Sequence, residues 1–161
     1  MRDDAVILVA EDDAGHFVLV KKNLWRSCVT NDIFHFKDGQ EVLNFLFQTG
    51  DGHTLNEGTP YLLLLDIRMP KVDGLEVLAR LRADEQLKKM PVIILTTTDE
   101  AEEVNRCYDL GCSFYIVKPA NYNDFMSTVE QLGSFLSLPG VKFPTLNEAI
   151  TSKEALGVDV E

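Results

Sequence analysis

Tyr61-Leu62-Leu63-Leu64-Leu65-Asp66 is a near-continuous apolar run that ends on a carboxylate, and loop-forming residues, Arg68-Met69-Pro70, follow it. A strand that is apolar at both alternating positions has to be covered on both faces, as in a parallel sheet flanked by helices. Open α/β sheets keep their ligands outside the carboxyl ends of their strands. Asp66 is therefore a candidate reactive group. The plainer reading is a helix N-cap or turn aspartate, which is common at strand ends.

Patterns on either side of this run alternate in the same way. Ala5-Val6-Ile7-Leu8-Val9-Ala10 is a short apolar run, followed by Phe17, Val20, Leu24 and Cys28 at helical spacing. Ile33-Phe34-His35-Phe36 reads as a second strand. Asp38-Gly39-Gln40-Glu41 reads as a capping box, with Val42, Leu43, Phe45 and Leu46 on the helix behind it. After the Asp66 strand come a helix from about Gly74, a buried strand Pro91-Val92-Ile93-Ile94-Leu95, and a helix from near Glu100 to Leu110 stopped by Gly111. Phe114-Tyr115-Ile116-Val117 is the fifth strand, and Asn121 caps a last helix bearing Phe125, Val129, Leu132 and Leu136. The alternation predicts a doubly wound five-stranded parallel sheet, flavodoxin-like, (βα)5, in three α/β/α layers with right-handed crossovers. Residues 1–138 form one domain on this reading. Residues 139–161 form a tail, with a short helix near Thr145 to Ala155 and no separate domain. The connection from Gln48 to Pro60 is long and rich in glycine and polar residues.

Composition narrows the function classes. The 161 residues are 45% hydrophobic, enough for one domain with a sizeable core. No apolar stretch is long enough to span a bilayer. Met1-Arg2-Asp3-Asp4 lacks the features of a signal peptide, so a cytoplasmic location is expected. The net charge of −11 disfavours nucleic acid and anionic membranes as partners. Cys28, Cys107 and Cys112 have no metal-ligand spacing and read as small apolar residues in or beside helices.

Three further signals end strands at the edge that carries Asp66. Glu11-Asp12-Asp13 follows the first strand, Thr96-Thr97-Thr98 the fourth and Lys118-Pro119 the fifth. Each is weak alone, because acidic triplets start helices and single lysines are usually solvated. Together they gather acids, a hydroxyl and an ammonium around one aspartate. Clustered carboxylates repel one another, and a hard divalent cation relieves that repulsion; Mg2+ suits a few carboxylates plus water and phosphate oxygens. Such a set makes a phosphoryl pocket in which Asp66 attacks in line and becomes an acyl phosphate.

These ordered motifs resemble the receiver domain of two-component response regulators, the CheY-like family, over about Ala5 to Leu138. The resemblance implies a phosphorelay signalling protein phosphorylated on Asp66 by a sensor histidine kinase, and no enzyme beyond its own Mg2+-dependent phosphorylation and dephosphorylation. It implies that Asp12 and Asp66 bind Mg2+ directly with the Arg68 carbonyl, that Glu11 acts through water, and that the Lys118-Pro119 bond is cis. Thr96 and Tyr115 match the family's switch pair: Thr96 moves to the phosphoryl group and Tyr115 turns into the space it leaves. Arg68 and Thr98 occupy positions that tune phosphate lifetime. The readout face is then the fourth helix, fifth strand and fifth helix, with Val104, Tyr108, Ser113 and Tyr115 on it. No DNA-binding module follows, so output through a protein contact, onward phosphotransfer or a homodimer is expected. The long loop before Asp66 and Ala120-Asn121 resemble stand-alone receivers that partner bacterial phytochrome kinases.

Two other classes share this topology. A degenerate receiver used only for binding would lack Asp66, Lys118 or an acid, and none is missing. An aspartyl-phosphate phosphatase would carry a second aspartate where Arg68 stands, a flavodoxin a Ser/Thr/Gly-rich loop where Glu11-Asp12-Asp13 stands, and a P-loop is absent. His16 lies near the acids but reads as a helix-start residue without a special role, as His35 and His53 do in their own segments.

Overall fold

The structure, a computed structural model, describes residues 1–48 and 55–145. Its elements alternate as the sequence implies: β1 Val6–Ala10, α1 Ala14–Arg26, β2 Ile33–Phe36, α2 Gly39–Leu46, β3 Tyr61–Leu65, α3 Gly74–Ala83, β4 Val92–Thr96, α4 Ala101–Asp109, β5 Phe114–Val117 and α5 Tyr122–Leu136. The strands form one parallel sheet in the order β2-β1-β3-β4-β5, the flavodoxin-like arrangement. The chain leaves β1 in one direction to reach β2 and returns past it to β3. The switch point of the sheet therefore lies between β1 and β3, where Ala10 is registered with Leu65.

The apolar runs are continuous because both faces of the sheet are covered. Ile7, Val9, Leu62, Leu64, Ile93 and Leu95 pack with Val20 and Leu24 of α1 and Phe125, Val129 and Leu136 of α5. The alternate residues Val6, Leu8, Leu63, Leu65, Val92 and Ile94 pack with α2, α3 and Cys107 of α4 on the other side. β1, β3 and β4 are buried at every residue, whereas the edge strands β2 and β5 are only half-buried.

Helix starts follow the capping residues. Asp13, Asp38, Asp73 and Asn121 each accept a hydrogen bond from a backbone N–H of the first turn. The box at Asp38 closes differently from the standard one: Glu41 N donates to Asp38 Oδ1 at 2.8 Å, but Glu41 Oε2 reaches the N–H of Lys37, one residue further out. Gly111, at φ +83°, ends α4 in the left-handed conformation expected of a glycine there.

Several expectations shift. No peptide bond is cis among the described residues, so Lys118-Pro119 is trans, the form X–Pro bonds still favour modestly. Cys28 lies beyond the end of α1 and is exposed, while Cys107 and Cys112 are buried as expected. Beyond α5, Val141 and Phe143 lie half-buried against the α1/α5 side of the core, and Thr145 bridges antiparallel to Pro60. The rest of the expected tail helix, His53 and residues 49–54 of the Gln48–Pro60 connection lie outside the described residues. No helix among the described residues is long and apolar enough to cross a membrane.

Cys28 follows the α1 C-cap with φ 68°. That conformation costs an L-residue roughly 1–2 kcal/mol, and glycine avoids it while losing about 0.5–1 kcal/mol of chain entropy. Cys28→Gly is expected to raise unfolding stability by about 0.5–1 kcal/mol in chemical denaturation; a less stable variant would contradict this strain.

Candidate phosphoryl-transfer site

The backbone ladder continues past the strands and fixes the residues just beyond them. Glu11 N donates to Phe36 O at 2.9 Å, Asp66 N to Ala10 O at 3.0 Å, and Lys118 N to Thr96 O at 2.6 Å. Each of these side chains thus starts from a backbone held by the neighbouring strand. The loop after β3 is clamped from below. Gly74 N donates to Ile67 O at 2.7 Å, and a Cβ on Gly74 would stand 2.2 Å from the Asp66 carbonyl oxygen, so only glycine lets α3 begin so close to Asp66.

The side chains converge as the sequence implies. Carboxylate oxygens of Glu11, Asp12 and Asp66 lie within 4.8 Å of one another; Glu11 and Asp66 are buried and Asp12 is exposed. The Lys118 ammonium reaches across the edge to them. It is hydrogen-bonded to Glu11 Oε2, and its Nζ stands 3.1 Å from Asp66 Oδ2. Burial pushes the Glu11 carboxyl up to about 7, against the lowering pull of Lys118 and with a further push from Asp66. Thr96 Oγ1 is buried and has no hydrogen-bond partner. An orphaned buried hydroxyl at the end of β4, whose own carbonyl holds the Lys118 N–H, is a donor awaiting an acceptor. The all-oxygen donor set, two of its three carboxylates buried, fits a hard divalent cation.

The switch and tuning candidates lie beside this cluster. Tyr115 is half-buried, and its hydroxyl donates to Thr98 O at 2.7 Å. Burial first, then the nearby Cys107 and Glu103, push its phenol up to about 12, so it remains a donor. The Thr98 hydroxyl turns toward α4, where Glu100 N points at it from 3.4 Å. Arg68 is exposed and lies along Glu103 of α4, with Nη2 3.4 Å from Oε1. Arg68, at a position the resemblance links to phosphate lifetime, is thus a largely solvated side chain with an inter-element ion pair.

Two histidines read as plain prove to border the site. His16 Nδ1 is 3.2 Å from Lys118 Nζ. His35 stacks on Phe17 with ring centroids 3.8 Å apart and holds Glu11 O at 2.7 Å through Nε2. A signal for His16 was present in the sequence. Asp13 caps α1, and a side chain three residues on leans back toward the helix N-terminus, over the end of β1.

Residues 7–130 match the Response regulator receiver domain, and the chain belongs to that family of signalling receivers. Response regulator Rcp1 of Synechocystis sp. is 35% identical over 130 residues, covering 81% of this chain and 87% of Rcp1. The crystal structure of its Mn2+-bound form matches with a TM-score of 0.77 at 34% identity, over 88% of this chain and 99% of that one. A receiver domain from Rhodospirillum rubrum matches with a TM-score of 0.81 at 40% identity, over 88% and 98%. The phosphorylated cyanobacterial phytochrome response regulator RcpA matches with a TM-score of 0.78 at 32% identity, over 88% and 99%.

The raised Glu11 carboxyl gives a pH dependence. A carboxyl whose folded value lies above its ordinary 4.5 binds more protons folded than unfolded between those values. Its contribution therefore favours the folded state below about 4.5 and is lost as pH rises through about 7. A cation needs the ionised form, so the sign reverses when one binds. Divalent-cation affinity, measured by titration calorimetry, is expected to weaken as pH falls below about 7, and Glu11→Gln is expected to flatten that dependence. Equal pH slopes in the two proteins would refute this assignment.

Proposed function

We propose that this protein is a phosphorylation-activated receiver that accepts a phosphoryl group on Asp66 from a sensor histidine kinase. The observation that carries the reading is the convergence of Glu11, Asp12, Asp66, Thr96 and Lys118 at one strand edge, with the Thr96 hydroxyl unpaired. Asp12, Asp66 and the Arg68 carbonyl would hold Mg2+, with Glu11 contributing through water; when bound, the ion would offset the negative charge of the phosphoryl oxygens. An Asp66 carboxylate oxygen attacks phosphorus in line while the bond to the donor's nitrogen or oxygen breaks, leaving an acyl phosphate on Asp66. Lys118 donates to a phosphoryl oxygen, and Thr96 donates its free hydroxyl to another. The chemistry is confined to the chain's own phosphorylation and dephosphorylation.

Thr96 and Tyr115 form the switch. The hydrogen bond of Tyr115 to Thr98 O ties the phenol to the segment that Thr96 begins, so movement of Thr96 shifts the surface Tyr115 supports. That surface is α4-β5-α5. Tyr108, Phe114, Val117 and Phe135 are exposed there, and Phe114 and Phe135 meet edge-on with centroids 6.4 Å apart. Such a patch supports a protein contact or a homodimer on this face. The likeness to RcpA supports a phytochrome-type kinase as donor, and the net charge of −11 supports a cytoplasmic protein that binds neither nucleic acid nor anionic membranes directly. Residues 1–138 act as the receiver, with 139–161 as an appendage.

Incubation with acetyl phosphate and Mg2+ is expected to add one phosphate by intact mass, and Asp66→Asn to add none. Absence of an adduct at every Mg2+ concentration would favour a phosphorylation-independent binding module. The Arg68 ion pair with Glu103 is exposed and worth at most about 1 kcal/mol, equivalent to about a fivefold rate effect. Arg68→Ala is expected to shorten the phosphate lifetime by up to about fivefold. An unchanged decay would reject the tuning role.

A further inference from the structure

The Lys118 ammonium has three N–H donors and no acceptor, and its side chain is only 2% exposed. Glu11 and Asp66 take two of these donors. A third left unpaired in the crevice would be costly and would let the ammonium swing toward solvent. The remaining group in reach is the His16 ring, with Nδ1 3.2 Å from Nζ. On the receiver reading of this site, we propose that His16 is a positioning residue for Lys118: the Nδ1 lone pair accepts its third N–H and keeps the other two aimed at Glu11 and Asp66.

The surroundings of the ring fit this role. An ammonium can only donate, so Nδ1 must carry a lone pair and the ring proton must sit on Nε2. Nε2 faces the Asp13 carboxylate, with Oδ2 3.9 Å away, which favours a proton on that side. Glu11 Oε1 also stands 3.9 Å from Nδ1, beyond hydrogen-bond range, and does not compete with Lys118 there. Asp13 fixes the base of the side chain as well, because His16 N donates to Asp13 Oδ1 at 3.0 Å. Phe125 of α5 borders the ring, with centroids 5.7 Å apart and planes tilted by 38°. His16 thus stands half-exposed at the rim, its acceptor inward and its Nε2–H toward Asp13. When a phosphoryl group arrives on Asp66, the same contact holds Lys118 in reach of it.

The first test needs neither metal nor phosphate. Long-range 1H–15N spectra of the metal-free protein are expected to show His16 as the Nε2–H tautomer, with an Nδ1 resonance that moves in Lys118→Met. The second compares initial rates of phosphorylation by acetyl phosphate with Mg2+. His16→Leu keeps the bulk and loses the acceptor, and is expected to slow uptake about five- to tenfold, the size of one hydrogen bond. His16→Asn places an amide oxygen where Nδ1 stands, two bonds from Cβ, and is expected to stay within about twofold of wild type. An Nδ1–H tautomer, an Nδ1 resonance indifferent to Lys118→Met, a wild-type rate in His16→Leu, or equal losses in both variants would overturn the proposal. A protein that takes up no phosphate yet shows the ring signature would sink the phosphorylation reading while upholding the Lys118–His16 contact.

Discussion

One buried ammonium makes the crevice possible. Three carboxylates sit within 4.8 Å of one another at the sheet edge, and the cation hydrogen-bonded among them is Lys118. Without it, Glu11 and Asp66 would be buried like charges, an arrangement that costs several kcal/mol per uncompensated ion. The sheet order dictates where the ammonium must originate. β1 and β3 are adjacent and bring the acids together, whereas β5 lies two strands beyond β3, about 10 Å at the usual strand spacing. A long flexible stem is needed to cross β4, and its path runs over the end of the strand that carries Thr96.

Precision at this edge comes from backbone rather than from side-chain packing. Glu11, Asp66 and Lys118 all follow the last residue of a strand, and each still donates its N–H to the neighbouring strand. The ladder therefore holds the reactive groups with the stiffness of a sheet while freeing their side chains from its alternation. Gly74 extends the same restraint from below, since its missing Cβ lets α3 start against the Asp66 carbonyl. The proposed reactive groups sit one residue beyond regular structure, held by the sheet's backbone but not bound by its side-chain alternation.

This division explains what could be read from the chain. The apolar runs of β1, β3 and β4 are unambiguous because both faces are covered, and the aspartate caps mark the helix starts with a local mechanism. The acids, Thr96 and Lys118 were legible because each ends a strand, and the alternation of elements sends every strand end to the same edge. Contacts made between elements by surface side chains were not. Arg68 finds Glu103 across a separation that no local pattern encodes, and the α1 cap directs His16 toward the end of β1 without naming Lys118 as its partner. Cys28 fitted the helical spacing but stands just past the turn at which α1 stops, because periodicity continues smoothly where backbone geometry does not.

The coupling between the crevice and the apolar face then follows from a short stretch of chain. Thr96, at the end of β4, has a buried Oγ1 without a partner; two residues later the Thr98 carbonyl holds the Tyr115 hydroxyl. A bond from the crevice that draws Thr96 toward it has to drag that carbonyl, and the phenol must follow or lose its partner. Tyr115 cannot relieve this by ionising, since burial holds its proton on at ordinary pH. Tyr115 N is in turn held by the Tyr108 hydroxyl at 3.3 Å, so the backbone of β5 is tied to α4 beside the exposed Phe114 and Tyr108. The proposed output face is thus joined to the proposed phosphoryl site by two hydrogen bonds of Tyr115, one from its hydroxyl to the Thr98 carbonyl in the connection ahead of α4 and one from its N–H to the Tyr108 hydroxyl near the end of α4.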